Sequence, residues 1–260
     1  MLDRVTNCGV VNWHIGRCGS SVLGSLLDQH PDVGYSNEIF SPYMPRRRGE
    51  KVLPSMEQVV HESRKGSTAG VHLFEVKHLP AQNLGLYPSL SAANWLEMFG
   101  RLGYQRHILL HRRNGLRRMV SHLRAAENGV YVAPAGSSSD QPSPKLTLPL
   151  EGIRHGFEVR SLLGWLQEYD RGWQQMQTLF SQCARDNSDF RWLSLTYEDD
   201  LAQSPLEGYQ RVRSFLGLAE FEPNLRYRKL NPGSLSELIA NWDEICALLA
   251  TTPFAWMLED

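Results

Sequence analysis

Apolar residues in this chain fall into short runs separated by longer segments with helical spacing. Runs at Val10–His14, Val33–Tyr35, Gly70–Val76, His107–His111 and Arg191–Leu195 read as strands. Apolar positions recurring every three to four residues predict helices over Ser21–Gln29, Ser55–Arg64, Ala92–Leu102, Leu116–Asn128, Glu158–Arg185, Pro205–Leu216 and Ser234–Leu249. Strands alternating with helices imply an α/β fold, a mainly parallel sheet covered on both faces. The length of 260 residues suits one domain. Residues 129–150, GVYVAPAGSSSDQPSPKLTLPL, break the pattern and read as a Gly/Ser/Pro-rich insertion within that domain. It is either a tolerated surface loop or a lid on the acceptor side of a ligand site.

The first strand runs into Gly16, Arg17, Cys18, Gly19, Ser20 and Ser21, and a helix follows. Such a turn places unpaired backbone N–H groups, hydroxyls and a cation around one point at a helix N-terminus, where an anion is stabilised. The expected arrangement is P-loop-like. The run is not GxxxxGK[ST], because Ser20 and not lysine follows Gly19, and it is not GxGxxG. Alone, it is equally well a tight turn between strand and helix.

A second cluster, HILLHRRNGLRRMVS, covers His107–Ser121. Asn114 is placed to cap the following helix. Ser121 follows Arg113 by eight residues, about two helical turns. The two side chains can meet on one oxyanion, with His111 and Arg112 as lesser candidates for the same pocket. The plain alternative is a solvated basic helix start.

Composition narrows the function. A formal net charge of −1 argues against a general nucleic-acid binder. Basic residues cluster locally instead, at Arg46–Arg48, Arg112–Arg118 and Arg226–Lys229. Cys8, Cys18, Cys183 and Cys246 are widely spaced without zinc-site spacing, which suits reduced thiols in the cytoplasm. No metal site is expected from His14, His72, His107 or His111. No window reads as a leader or a membrane span, which leaves a lipid-linked substrate open.

Taken together, GRCGSSVLGSLLDQHPDV with Glu38, RRNxxRRxxS, LTYEDD and RKLNPGSLSELIANWDEI resemble the sulfotransferase family that uses 3′-phosphoadenosine 5′-phosphosulfate. The motifs occur in family order from about Val10 to Ile245. In flavour they are nearest to bacterial carbohydrate and glycolipid sulfotransferases. The resemblance implies that Gly16–Ser21 hold the 5′-phosphosulfate, with Arg17 as the loop cation and Cys18 in place of the usual serine. Arg113 and Ser121 then hold the 3′-phosphate, and Tyr197 lies near the adenine. Arg228 and Lys229, with Asn231, close over the nucleotide.

The implied reaction is an in-line sulfuryl transfer to a hydroxyl without metal, carbohydrate or glycolipid being the expected acceptor. A general base contributes typically ~10²–10⁴-fold. Glu38, in GYSNEIF, is the preferred base, and His78, before Leu79 and Pro80, is the second candidate. Lys77 is turned away from His78 by strand alternation. Two rival readings are a P-loop-type nucleotide kinase and a non-catalytic nucleotide-binding module.

Overall fold

The computed structural model describes residues 8–136 and 144–259. In chain order the elements are β1 (Cys8–His14), α1 (Ser20–Leu27), β2 (Val33–Tyr35), α2 (Pro45–Arg48), α3 (Met56–Arg64), β3 (Val71–Lys77), α4 (Ala92–Arg101), β4 (Tyr104–His111), α5 (Gly115–Asn128), β5 (Ala133–Pro134), β6 (Ile153–His155), β7 (Glu158–Arg160), α6 (Leu162–Asp186), β8 (Arg191–Thr196), α7 (Pro205–Leu216), β9 (Tyr227–Arg228), α8 (Leu235–Leu238) and α9 (Trp242–Leu249).

Five strands form one sheet in the order β2-β3-β1-β4-β8, and every neighbouring pair is parallel. The α/β reading of the sequence therefore holds. Along β1, alternate side chains enter two different cores. Val11 and Trp13 pack with Phe74, Phe99 and Phe180 on the face of α4 and α6. Val10 packs with Leu23, Leu73 and Val212 on the face of α1 and α7. A third core joins α5, the start of α6 and the C-terminal helices through Leu116, Trp165, Leu235 and Leu249.

Local chemistry sets several boundaries. Ser55, Ser91 and Ser234 each close a reciprocal capping box. Asn114 Oδ1 accepts from Arg117 N–H at 2.9 Å, the expected cap of α5. Two predicted helices differ. The one expected over Glu158–Arg185 begins at Leu162, because Glu158–Arg160 pairs with Ile153–His155 as an antiparallel hairpin. The one expected over Ser234–Leu249 is split into α8 and α9. Ile239 leaves the helix to bridge Leu146, with Leu146 N–H on Leu238 O at 2.9 Å and Ala240 N–H on Leu146 O at 2.8 Å.

That bridge changes the picture of the Ser/Pro-rich stretch. Leu146 and Leu148 are buried in the third core, and Ala133–Pro134 pairs with Tyr227–Arg228. Both ends of 129–150 are thus built into the domain. Its middle, 137–143, lies outside the described residues. No helix among the described residues is long and apolar enough to cross a membrane.

Candidate active site

After His14, at the end of β1, the chain turns through Ile15–Gly19 into α1. Gly16, Arg17 and Gly19 take φ of +77°, +59° and +88°. Glycine adopts this region without a side-chain penalty. At Gly19 a Cβ would also lie 2.8 Å from Leu201 Cδ1 and 3.0 Å from Tyr197 Cδ2. Arg17 is held in the same region by its surroundings. Its carbonyl accepts from Arg112 Nη1 at 3.1 Å, its Nε donates to Ser121 Oγ at 3.0 Å, and its Nη1 donates to Tyr131 O at 2.9 Å.

The carbonyls of the preceding residues are also tied back. Gly16 O accepts from Arg118 Nε at 3.1 Å, and Ile15 O accepts from Gln82 Nε2 at 3.0 Å and from Arg118 Nη2. Three consecutive carbonyls are therefore held by the protein interior. The first N–H groups of α1 have no partner within the helix, and Gly19, Ser20 and Ser21 border an open cleft.

Cations dominate this cleft. Arg17, Arg112 and Arg117 line it together with Ser121. Arg112 is buried, and its guanidinium lies 4.4 Å from the centre of the Tyr197 ring. Among the described residues neither Arg17 nor Arg112 has a carboxylate in ion-pair contact. Glu198, which acts on Arg112 through space, takes the N–H groups of Arg113 and Asn114 at 3.0 and 3.2 Å. Burial lowers the pKa of Arg17, and the Arg112 charge adds to this. Burial likewise lowers the pKa of Arg112. Desolvated cations with no carboxylate in direct contact are stabilised by an arriving anion. The cleft has a volume of ≈ 100 Å³.

The loop residues Gly16–Ser21 thus sit beside Ser121, Tyr197, Arg228, Lys229 and Asn231, the last five all bordering the cleft. Cys18 is buried and packs with Leu23 and Leu201. Arg113 is not brought to the cleft. Its guanidinium forms two bonds of 2.7 Å to Asp199 at the surface. Consecutive residues of extended chain point opposite ways, so Arg112 turns inward where Arg113 turns out. Within the basic run, Arg112 and Arg117 line the cleft, and Arg118 instead bonds the carbonyls of Ile15 and Gly16. Tyr131, from the Ser/Pro-rich stretch, also borders the cleft and covers Arg17.

The two candidate bases lie in different settings. Both oxygens of Glu38 are 2.7 Å from Lys77 Nζ. Burial raises the Glu38 pKa, but Lys77 and then His14 outweigh it, and the net shift is downward. Lys77 Cε in turn lies 3.2 Å from the position a Cβ would take on Gly16, so the pair abuts the loop. His78, just past β3, is buried, and among the described residues neither ring nitrogen has a hydrogen-bond partner. Burial, with His14 adding to it, lowers its pKa to about 3. His78 borders a second cavity of ≈ 660 Å³ lined by Leu84, Leu90, Phe157, Met176 and Leu179. Its volume and apolar lining match a small-molecule pocket.

Glu38, His14 and Glu75 each place one potential ligand atom within 4.8 Å of the others. No sequence spacing announces this group, because it joins three separate segments. Gly16 N–H donates to His14 Nδ1 at 2.9 Å, which leaves the ring proton on Nε2, 3.0 Å from Glu75 Oε2.

No protein-family model matches the chain. No curated protein matches it either. Among solved structures it is similar to the sulfotransferase from Alicyclobacillus acidocaldarius, at 16% identity and a TM-score of 0.46, covering 95% of this chain and 93% of that one. It is also similar to mouse sulfotransferase SULT7A1 complexed with PAP, at 12% identity and a TM-score of 0.42, covering 84% of this chain and 60% of that one.

Proposed function

We propose that the chain transfers a sulfuryl group from 3′-phosphoadenosine 5′-phosphosulfate to a hydroxyl acceptor. The observation that carries this reading is the pair Arg17 and Arg112, neither in ion-pair contact with a carboxylate among the described residues, set between the Gly16–Ser21 turn and Ser121. A compound with two separated anionic groups fits that arrangement.

The 5′-phosphosulfate takes the loop. As the S–O bond breaks, charge builds on the bridging oxygen, and Arg17 with the loop N–H groups stabilises it. The 3′-phosphate takes Ser121 with Arg112 and Arg117, and Arg113 is a lesser candidate because it is turned to Asp199. Tyr197 flanks the adenine, and Arg228 and Lys229 close the open side. The transferring group carries less charge than a phosphoryl group, so the reaction is read as metal-independent. A kinase reading lacks the lysine after Gly19.

Glu38 is the proposed base. Its lowered pKa keeps it ionised at neutral pH, and it stands against the loop through Lys77. A second reading gives this role to His78, a residue that lines the apolar cavity. That cavity favours an acceptor with an apolar portion, a glycolipid rather than a free sugar.

The test is transfer of labelled sulfate in the presence of EDTA to paired acceptors, a free sugar and its long-chain alkyl glycoside. The expected result is labelling of the glycoside in preference to the sugar. Nucleotide binding without labelling of any hydroxyl acceptor would favour the non-catalytic module, and phosphate transfer from ATP with Mg²⁺ would favour the kinase.

A further inference from the structure

The hairpin β6–β7 forms a small sheet of its own, apart from the five central strands. Alternation turns Ile153 and His155 inward and Arg154 outward. Val159 pairs across from Arg154 and is 49% exposed. Phe157, at the turn, is 40% exposed, although its N–H is fixed on Ala81 O at 2.9 Å. The absence of a side chain at Gly85 makes room for this ring, since a Cβ there would lie 2.8 Å from Phe157 Cδ2. The hairpin is thus anchored at its base while it holds two apolar side chains in water.

A basic segment lies against the same turn. Met44 Cε is 3.5 Å from the position a Cβ would take on Gly156. Met44 leads directly into α2, whose three arginines are all exposed. The charge of Arg46 is felt at His155 in the hairpin. Among the described residues Arg46, Arg48 and Arg154 are in no ion pair. Arg47 donates to Ser41 Oγ at 2.6 Å. Glu158, the carboxylate of the hairpin, is taken up by Arg160, which also lies 3.2 Å from Glu168. Glu50 and Glu151, the exposed acids next to these segments in sequence, leave the balance basic.

Phe157 also belongs to the wall of the apolar cavity. Pro88, Ala93 and Gln175 of the same wall are exposed too, so the cavity reaches the surface beside the hairpin. A protein interface is depleted of charge at its centre, whereas here arginines stand beside each apolar side chain. Their complement is an anionic bilayer. Apolar side chains enter its interface, and guanidiniums remain with the phosphates while their stems follow the apolar side chains inward.

We propose that β6–β7 and α2 form a docking surface for an anionic lipid bilayer. Phe157 and Val159 enter the interface, and Arg46, Arg48 and Arg154 meet the headgroup phosphates. The cavity then takes the apolar part of its acceptor directly from the membrane. That last step rests on the acceptor reading above, and the docking does not.

The experiment is flotation of the full chain with vesicles of phosphatidylcholine alone or mixed with phosphatidylglycerol, without nucleotide or acceptor. The expected result is binding to the mixed vesicles at least about tenfold tighter than to phosphatidylcholine, weakened by salt. Each arginine near an anionic surface contributes about fivefold. The triple variant Arg46→Gln, Arg48→Gln, Arg154→Gln should therefore lose roughly 100-fold. Val159→Ser should lose roughly fivefold on the mixed vesicles. All four positions are exposed, and thermal melting confirms that the variants are folded. Equal binding to both vesicle types, or none to either, overturns the proposal. Binding that survives in the folded triple variant and in Val159→Ser overturns it too. Displacement by soluble glycerol phosphate at the same headgroup concentration would assign the arginines to a free anion and overturn the bilayer. Self-association through this face, seen as a doubled mass in light scattering that Val159→Ser abolishes, would give the surface to a second copy of the chain and also overturn it. Vesicle binding as expected supports the docking even where no sulfate is transferred, so its fate and that of the transfer reading are read separately.

Discussion

Arg112→Gln is the substitution that separates the observed site from the pairing suggested by sequence spacing. Arg112 is buried, stacks on Tyr197 and bonds the Arg17 carbonyl at 3.1 Å. Removing its charge removes one charge-assisted contact to the bound phosphate and loosens the loop. A hydrogen bond to a charged group contributes about 1.5–3 kcal/mol, which corresponds to roughly 10- to 150-fold in Kd. Arg113→Gln removes a pair whose side chains are 48% and 59% exposed, and the expected change is under about threefold. Both variants are titrated with adenosine 3′,5′-bisphosphate and adenosine 5′-monophosphate, and thermal melting confirms that each is folded. Arg112→Gln should lose more affinity for the bisphosphate than for the monophosphate. If Arg113→Gln lost the bisphosphate more severely than Arg112→Gln, the assignment of the cleft would be wrong and the 3′-phosphate would belong to Arg113.

Three further outcomes follow from the same contacts. Glu38→Gln should slow transfer by ~10²–10⁴-fold with donor affinity nearly unchanged, whereas His78→Ala abolishing transfer on its own would move the base to His78. Burial lowers the pKa of His78, His107 and His122 to about 3 and that of His111 to about 4. Their stabilising contribution is full above the unfolded-state value near 6.5 and is lost as pH falls toward those folded values, so Tm should drop between about pH 7 and pH 5. His107→Gln, which keeps an acceptor for Trp13 Nε1, should flatten that slope. Leu148→Ala should cost about 2–5 kcal/mol by urea unfolding, because this end of the Ser/Pro-rich stretch is fully buried; a change below about 0.5 kcal/mol would mark it as a surface loop.

The sheet was legible because each central strand carries a compact apolar run and each following helix a periodic face. The loop was legible because Gly16 and Gly19 bracket a cation immediately after a buried strand. What the pattern did not show depended on contacts between distant segments. Ile239 reads as helical until Leu146 claims its backbone. Glu158–Arg160 reads as helical until the hairpin with Ile153–His155 forms. Choosing between Arg112 and Arg113 required knowing which way the chain faces after His111, and an eight-residue spacing to Ser121 does not supply that. The network of His14, Glu75 and Glu38 was hidden for the same reason: parallel register sets Asn12 beside Glu75 and His14 beside Lys77, and no single segment records it.

Arg17 and Arg112, neither in ion-pair contact with a carboxylate among the described residues, are the core of the proposed site for a 3′-phosphorylated adenosine. The measurement that tests this most directly is a competitive titration in EDTA of adenosine 3′,5′-bisphosphate against adenosine 5′-monophosphate and ATP. The bisphosphate should bind at least about tenfold more tightly than either, a difference of roughly 1.4 kcal/mol, with no dependence on the chelator. Equal affinity for all three, or a preference for ATP that appears only with Mg²⁺, would contradict it.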